Sequence, residues 1–459
     1  MTASTSNETK TRNYTHLKPK WHRYFPAPTY KTIEKSSKKA KPTTTTACVY
    51  NNQYSLMYTS RLEQLRQRIN IPKDNNIKFI SRIIGLQDDD IKCIVKGTII
   101  KQYTNSVIEQ ELNECNVVAL PMTTNTYKDK DLMVLEDESG RVELVFEEKL
   151  KQESKVLSTG VVVGVIGRIE SCTGRFIVEE LLYPTLPRPP QPQSQIKSGN
   201  YVALMSGLNI GLKDEDNDKS NSLRRALLLD YLSGEFESTF NITKLIIAGG
   251  NIQSNESSYV IHELDLFLTE ACANGIPVDI LPGKYDPTNA NFPYRNFHSC
   301  LFPSVTKNYG GMIHLAGNPY CCDLDDVGFL GTDGSNILNF MRFTNSSIDE
   351  SNDDDAKLTS LSPMQALEYT LKYNLIAPTA PDTIPTFPFL NNEEGDPLVM
   401  ECMPNVYFIG NCAEYQTKTV EMNDDVCRLI CVPDFSKSGQ IVLVDLDSLD
   451  CEIVKIIET

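Results

Sequence analysis

From residue 200 to the C-terminus, short runs of apolar residues alternate with longer stretches in which apolar positions recur every three or four residues. Short apolar runs are typical of buried strands, and the longer spacing is typical of helices packed on a sheet. We predict strands at 201–206, 244–249, 277–281, 328–331, 406–410, 427–432 and 440–445, and helices at 223–232, 259–272 and 363–372. Buried strands that alternate with helices predict an α/β sandwich.

Residues 89–185 follow a different pattern, in which short apolar runs are separated by turns that contain Gly. Strands are predicted at 93–100, 132–135, 142–146, 161–167 and 176–178. The second and third pair across the turn Asp137–Gly140, and the last two are joined by a turn at Thr173–Gly174. Several short strands with Gly-marked bends predict a small all-β barrel of the OB-fold type.

An amphipathic helix is predicted before the barrel, from Tyr54 to Ile69. Its apolar residues recur at helical spacing. The apolar face carries Leu56, Leu62, Leu65 and Ile69. Three arginines lie largely off this face, namely Arg61, Arg66 and Arg68. We expect the apolar face to pack on the barrel.

Two segments of biased composition complete the division of the chain. The N-terminal segment is rich in Thr, Ser, Lys and Pro, which predicts disorder, and the segment Leu186–Gln193 is Pro-rich, which predicts a stiff connection. The predicted units are a disordered basic tail (1–50), a helical lead-in (51–88), the barrel (89–185), a Pro-rich linker (186–199) and the α/β unit (200–459).

Charge is unevenly distributed along the chain. The net charge is −16, but residues 1–50 carry +8 and the remaining 409 residues carry −24. Residues 92–185 of the barrel have eleven basic and fifteen acidic side chains. Because an acidic surface repels phosphate backbones, a protein-binding barrel is favoured. A barrel that binds single-stranded nucleic acid is the alternative.

The thirteen cysteines include no C-x-x-C pair, and no apolar run approaches the length of a membrane span. We therefore expect reduced thiols, no membrane contact, and a location in the cytosol or nucleus. The basic segment Lys35–Lys41 is interpreted either as a nuclear import signal or as a solvated basic tail.

The segment Leu281–Pro287, L-P-G-K-Y-D-P, resembles the metal-binding loop of the calcineurin-like phosphoesterases. That loop reads G-N-H-D or G-N-H-E, with the Asn oxygen on a metal ion and the His facing the scissile phosphate. Lys284 and Tyr285 take these two places here. A Lys ammonium has no lone pair and a phenol is a poor substitute for imidazole, so neither binds a divalent cation at neutral pH.

Three further strand ends differ from these enzymes in the same way. The tripeptide from Ser206 stands where they carry D-x-H, Gly250–Gln253 where they carry G-D-x-x-D, and Gly410–Cys412 where they carry G-H-x-H. A two-metal site needs carboxylates and imidazoles around ions about 3.5–4 Å apart. The resemblance therefore implies a phosphoesterase-like fold with no metal, no cofactor and no catalysis. The vacated positions are Ser206, Leu208, Gly250, Gln253, Lys284, Tyr285, Asn411 and Cys412.

A metal-dependent phosphodiesterase or nuclease with relocated ligands is the competing hypothesis. Its candidate ligands are Asp286, His298, Asp382 and Asp434. A lone carboxylate more often caps a turn or a helix, and the chain has five histidines, two of them in the predicted tail. The non-catalytic interpretation is therefore favoured.

Three longer strings of residues are similar to one family. They are Leu135–Val142 (L-E-D-E-S-G-R-V), Leu281–Pro303, and Ile376–Thr383 (I-A-P-T-A-P-D-T). Each is locally a turn or loop forced by Pro and Gly. In this order they resemble the small, or B, subunits of replicative DNA polymerases, specifically those of polymerase delta, over residues 50–459.

That resemblance implies an OB-fold joined to an inactive phosphoesterase-like domain, which together form a platform for other subunits. The implied partners are the catalytic subunit of DNA polymerase delta, which docks through its C-terminal metal-binding module, and the third, elongated subunit. The family also serves the catalytic subunit of polymerase zeta. The implied role is a non-catalytic scaffold for DNA replication and repair in the nucleus, which contacts DNA only indirectly.

Overall fold

The structure is a computed structural model. It describes residues 54–72, 77–87, 91–102, 132–188, 199–212, 215–234, 240–253, 258–344, 361–386, 396–422 and 425–456. The predicted tail, with Lys35–Lys41, and most of the predicted linker lie outside the described residues. Within these ranges no helix is both long enough and apolar enough to cross a membrane.

The barrel is formed by short strands. They are β1 (Lys78–Phe79), β2 (Cys93–Gln102), β3 (Leu132–Asp137), β4 (Gly140–Phe146), β5 (Val162–Ile169) and β6 (Phe176–Leu182). The pairs β2–β3, β3–β4, β4–β6, β6–β5 and β5–β2 close a ring, with β4 and β6 parallel and the other pairs antiparallel. Closure in this order is the predicted OB-fold. A helix, α1 (Tyr54–Arg66), precedes the barrel, and another, α2 (Lys151–Val156), lies between β4 and β5.

The rest of the described chain is an α/β sandwich of two mixed sheets. The strands are β7 (Asn200–Met205), β8 (Asn241–Ala248), β9 (Val278–Leu281), β10 (Ile313–Leu315), β11 (Tyr320–Leu324), β12 (Val327–Thr332), β13 (Val406–Cys412), β14 (Gln416–Met422), β15 (Asp425–Pro433), β16 (Gln440–Asp445) and β17 (Cys451–Lys455). The first sheet has the order β10-β9-β8-β7-β16-β17 and the second β11-β12-β13-β15-β14. All strands predicted for this part of the chain are present.

Helices cover the outer faces of both sheets. They are α3 (Glu215–Ser233), α4 (Ser258–Ala273), α5 (Pro303–Tyr309), α6 (Ser335–Thr344), α7 (Pro363–Tyr373) and α8 (Phe435–Ser438). Apolar residues of α3, α4 and α5 pack on the first sheet, those of α6 and α7 pack on the second, and a third core lies between the sheets. The helix predicted at 223–232 begins earlier, at Glu215. The prediction missed its first two turns because they carry no apolar residue from which a helical period could be read.

The barrel and the sandwich share one apolar core. Barrel residues such as Val163 belong to the same buried cluster as Leu371 of α7 and Ile376. The ring of Tyr183, at the end of the barrel, stacks on Tyr373 of α7 with centroids 5.7 Å apart. Leu186, the first residue of the predicted linker, is also buried in this cluster. Packing, and not only the linker, therefore fixes the barrel on the sandwich.

Helix α1 lies in this contact region, and its burial differs from the prediction at Arg61. Leu62 and Leu65 pack in the shared core, as expected, but the Arg61 side chain is fully buried as well. Its Nε donates to Oδ2 of Asp396 at 2.7 Å, and its Nη1 donates to the carbonyl oxygen of Ala380 at 2.9 Å. Placing Arg61 on the polar face was wrong, because spacing within one helix does not reveal a buried acidic partner elsewhere in the chain. We call this contact region, with Arg61 at its centre, the seam.

Candidate functional site

The positions compared with the phosphoesterase ligands follow β7, β8, β9 and β13. The first three strands are parallel neighbours, so their C-terminal ends lie side by side at one edge of the first sheet. The end of β13, from the second sheet, closely approaches them. A Cβ atom on Gly410 would lie 2.3 Å from the carbonyl oxygen of Ala248 and 2.9 Å from Cβ of Ser206. Because Gly410 has no side chain, the four strand ends form one site.

These strand ends form the floor of a cavity of about 1220 Å³, whose walls include residues of α3, α6 and α8. Five of the predicted positions line this cavity: Gly250, Gln253, Lys284, Tyr285 and Asn411. The side chains at 253, 284 and 285 are exposed to solvent. Five of the eight positions named from the sequence therefore lie at one cavity, which the sequence analysis itself did not predict.

The other three predicted positions lie beneath the cavity floor. Ser206, Leu208 and Cys412 are buried. The Oγ of Ser206 accepts a hydrogen bond from the backbone N–H of Asn411 at 2.8 Å, which links the ends of β7 and β13. A hydrogen bond with Cys431, together with burial, raises the pKa of the Cys412 thiol well above its usual value. These side chains therefore act as neutral packing and hydrogen-bonding groups.

Asp286, the last residue of the G-K-Y-D frame, is buried and joins the ends of β8 and β9. One carboxylate oxygen accepts hydrogen bonds from the backbone N–H of Gly283 and from Nδ2 of Asn251, both at 2.7 Å, and the other accepts from the N–H of Ile252 at 2.9 Å. Burial raises the pKa of Asp286 to about 6, although these hydrogen bonds act to lower it. At neutral pH the carboxylate is mostly ionised and holds the two loops together.

A second buried carboxylate, Asp333, performs a similar role after β12. Its Oδ2 accepts a hydrogen bond from the N–H of Lys284 at 3.1 Å, and its Oδ1 accepts from Nδ2 of Asn318 and from Oγ of Ser335, both at 2.8 Å. Burial raises its pKa above the usual range, against these hydrogen bonds. The sequence analysis missed Asp333, because G-T-D-G has the composition of an ordinary turn. Its position directly after a buried strand was the available signal.

Gly250 has a backbone conformation that suits glycine. Its φ is +66°, and a Cβ atom there would lie 2.3 Å from Oδ1 of Asn411. The Nδ2 of Asn411 in turn donates to the carbonyl oxygen of Asp333 at 2.9 Å. An amide therefore crosses the space above Gly250, at the point where the phosphoesterase pattern would place a carboxylate.

The structure does not bring the four relocated-ligand candidates together. His298 is exposed, and its Nδ1 accepts a hydrogen bond from the N–H of Cys300 at 3.2 Å. Asp382 accepts a hydrogen bond from the hydroxyl of Tyr58 at 2.6 Å, at the seam, and Asp434 is the N-cap of α8. Among the described residues, no group of three or more His, Cys, Asp or Glu side chains is placed to hold a metal ion.

Known protein families match both the barrel and the sandwich. Residues 53–181 match the family described as the DNA polymerase delta subunit OB-fold domain, and residues 202–418 match the B-subunit family of DNA polymerases alpha and epsilon. The DNA polymerase delta small subunit of Oryza sativa subsp. japonica is 31% identical over 87% of this chain and 92% of its own length. The chain belongs to the DNA polymerase delta small subunit family.

Other members of the DNA polymerase delta small subunit family give the same result. The DNA polymerase delta subunit 2 of Drosophila melanogaster is 32% identical over 88% of this chain and 93% of its own length, and the small subunit of Saccharomyces cerevisiae is 30% identical over 89% and 90%. The predicted resemblance to polymerase delta small subunits is confirmed.

Among solved structures, an archaeal phosphodiesterase is 13% identical to this chain. The match covers 55% of this chain and 98% of the archaeal protein, with a TM-score of 0.29.

Two of the strings that resemble polymerase delta small subunits have identifiable structural roles. In the first, Oδ1 of Asp137 accepts hydrogen bonds from the N–H groups of Ser139 at 2.7 Å and Gly140 at 3.0 Å, while Oδ2 accepts from the N–H of Ile83 at 2.8 Å. This string fixes the β3–β4 turn. The other of these two strings, Ile376–Thr383, includes the carbonyl groups that accept hydrogen bonds from Arg61. It forms part of the seam.

Proposed function

We propose that this chain is a non-catalytic accessory subunit of DNA polymerase delta, a scaffold for DNA replication and repair in the nucleus. The observation that carries the proposal is similarity to polymerase delta small subunits over about nine-tenths of their length. That similarity extends across the barrel, the seam and the sandwich. Similarity over the barrel, the seam and the sandwich supports an assembly role, because such a role uses the outer surfaces of both folded units.

The chemistry of the cavity supports the non-catalytic part of the proposal. The ammonium of Lys284, the phenol of Tyr285 and the amide of Asn411 offer no ligand set that a divalent cation prefers. The nearby carboxylates of Asp286 and Asp333 are buried and accept hydrogen bonds from the loops. We propose that the eight positions named from the sequence are vacated ligand positions, and that the cavity holds no metal or cofactor.

We propose two partners, namely the catalytic subunit of polymerase delta, through its C-terminal metal-binding module, and the third subunit. The catalytic subunit of polymerase zeta is a further proposed partner, and DNA is contacted only through the assembly. The seam supports this role, since a barrel already packed on the sandwich presents a composite surface. Docking on such a surface costs less conformational entropy than docking on two tethered domains.

Co-expression with the catalytic and third subunits tests the proposal. We expect the three chains to co-elute in equal amounts from size-exclusion chromatography. A catalytic subunit without its C-terminal metal-binding module serves as the control and is expected to lose this chain. Elution of this chain alone at micromolar concentrations of all three subunits would contradict the proposal.

The isolated C-terminal module is expected to stabilise this chain, because a ligand that binds only the folded state raises the free energy of unfolding. At a module concentration 100 times its Kd the gain is about 2.7 kcal/mol. Thermal unfolding of this chain with and without the module measures the effect. An unchanged midpoint at saturating module would show that the module binds elsewhere in the assembly.

Restoring one ligand at a vacated position is expected to give no hydrolytic activity. Gly250→Asp adds a carboxylate at a position where a Cβ atom already meets Asn411, and Tyr285→His adds an imidazole at a position that is 67% exposed. Catalytic groups that act as a unit do not recover singly. Hydrolysis of bis-p-nitrophenyl phosphate with added Mn²⁺ measures the outcome. Turnover by the well-tolerated Tyr285→His variant would contradict the non-catalytic proposal.

A further inference from the structure

We propose that the cavity at the strand ends binds an extended acidic segment with apolar side chains, supplied by another subunit of the polymerase assembly. This inference rests on the proposed function and adds a location and a chemistry to it. The cavity, about 1220 Å³ in volume, is large enough for several residues of a peptide. Three features favour this class of ligand. They are the basic lining, the exposed apolar side chains, and the backbone N–H groups of the floor, which already donate to carboxylates of the protein itself.

The cavity has a basic lining in an acidic protein. Its charged lining residues are Arg224, Lys284, Arg342 and Lys437 against Asp333 and Asp434. Nζ of Lys437 lies 3.2 Å from Oδ2 of Asp434, so these two charges offset each other. The chain after residue 50 carries a net charge of −24. Asp333 and Asp434 are both mostly buried, with 4% and 7% of their surface exposed, so the solvent-exposed charges of the lining are predominantly basic. A positive cavity on a negative surface attracts an acidic segment.

The basic groups lie on different walls of the cavity. Arg224 belongs to α3, Arg342 to α6 and Lys437 to α8, whereas Lys284 lies on the floor loop after β9. Nη1 of Arg224 donates to the carbonyl oxygen of Ser436 at 2.6 Å, which holds its guanidinium at the α3–α8 wall. Charges distributed over several walls favour several carboxylates along an extended chain over one compact anion.

Large apolar and aromatic side chains at the cavity are open to solvent. Leu338 on α6 is 57% exposed and Tyr285 is 67% exposed, although both line the cavity. Phe292 and Ile384 add buried apolar surface to the lining. Apolar surface that is exposed within a concave site and rimmed by polar groups is typical of interaction surfaces. They require apolar side chains in the ligand as well as carboxylates.

The backbone donors of the cavity floor argue against a phosphate ligand. Phosphate sites use backbone N–H groups that converge at strand or helix ends. Here the N–H groups of Gly283 and Ile252 donate to Asp286, and that of Lys284 donates to Asp333. Two buried carboxylates thus occupy the donors that a phosphate would need. The side chains on the walls remain, and they suit carboxylates of a peptide.

Site-specific photo-crosslinking in the reconstituted three-subunit complex tests the inference. The crosslinker p-benzoylphenylalanine replaces Leu338, and the matched control places it at Leu266 on α4, which is 44% exposed and outside the cavity lining. We expect the 338 position to capture a segment of the catalytic or third subunit with net negative charge. The 266 position is expected to capture that segment at least tenfold less.

Charge reversal provides the second measurement. Arg342→Glu with Lys437→Glu is expected to lower the crosslinking yield at position 338 at least tenfold. Arg342→Lys with Lys437→Arg, which keeps the charge, is expected to leave it within twofold. Thermal midpoints of both variants, measured on the free chain, verify that the fold is retained.

The possible outcomes separate the inference from the proposed function. If the subunits co-elute and position 338 captures nothing, or captures a neutral or basic segment, the inference is wrong and the scaffold role stands. If 10 mM inorganic phosphate or a single-stranded oligonucleotide stabilises the free chain and Lys284→Ala abolishes this effect, the ligand is a phosphate and the inference is again wrong. If the subunits do not co-elute, both proposals fail.

Discussion

Replacing Arg61 by Ala is expected to lower the free energy of unfolding by about 3–5 kcal/mol, because it leaves a buried carboxylate without its partner. The side chains of Arg61 and Asp396 are both fully buried, and their closest atoms are 2.7 Å apart. The variant also removes the donors that satisfy the carbonyl groups of Pro378 and Ala380. Urea unfolding followed by far-UV circular dichroism measures the change. Circular dichroism is chosen over tryptophan fluorescence because the only tryptophan, Trp21, lies outside the described residues.

Two control variants isolate the buried pair. Arg141→Ala removes an exposed arginine that lies 3.4 Å from Glu136, and we expect a loss below about 1 kcal/mol. The double variant Arg61→Met, Asp396→Leu replaces both charges by apolar groups. It is expected to recover the part of the stability that Arg61→Ala loses through the unpaired carboxylate, but not the part lost at the two carbonyl groups. A loss at Arg61 no larger than that at Arg141 would show that the buried pair does not hold the seam.

Gly160→Ala is expected to lower the free energy of unfolding by about 3–5 kcal/mol, as the sum of backbone strain and overpacking. Gly160 has a φ of +93°, which L-residues rarely adopt. A Cβ atom at this position would lie 2.3 Å from the carbonyl oxygen of Pro378 and 2.8 Å from Nη1 of Arg61. The methyl group would therefore push the barrel away from the sandwich at the centre of the seam. Urea unfolding measures the loss of stability.

Gly174→Ala is the matched control for Gly160→Ala. Gly174 also has a positive φ, +69°, but a Cβ atom there meets no other atom within 4 Å among the residues that the structure describes. Its substitution therefore costs backbone strain alone, about 1–3 kcal/mol. The difference between the two variants measures the contact across the seam. Equal losses would mean that the barrel and the sandwich tolerate separation at this point.

The elements with regular periodicity were predictable from the sequence, and the contacts between distant segments were not. The paired strands β3 and β4 are short apolar runs on either side of a Gly-containing turn, and both the strands and their pairing were predicted. Arg61 has the spacing of a polar-face residue, and only its partner Asp396, 335 residues away, explains its burial. Periodicity records which face of an element is apolar, but it contains no information on which buried charge meets which.

The candidate site was predictable in its location and only partly in its chemistry. The comparison of strand ends identified Gly250, Lys284, Tyr285 and Asn411, which all line one cavity. It did not identify Asp333, which organises the floor, or Arg342 and Lys437, which give the walls their charge. The walls are formed by α3, α6 and α8, which come from three separate parts of the chain. Their convergence depends on how those helices pack, which no local pattern encodes.

The sequence separation across the seam has a consequence for the synthesis of this protein. Ribosomes add about 5–20 residues per second, so Asp396 emerges roughly 17–67 s after Arg61, from which it is 335 residues distant. The barrel leaves the ribosome first, yet the residues that cover its seam face, those of α7 and the segment that follows it, are translated much later. A nascent chain that stops before residue 396 therefore displays to chaperones and proteases an arginine and an apolar surface that the finished protein buries. Synthesis of residue 396 is therefore required before the buried ion pair can form and this surface can be covered.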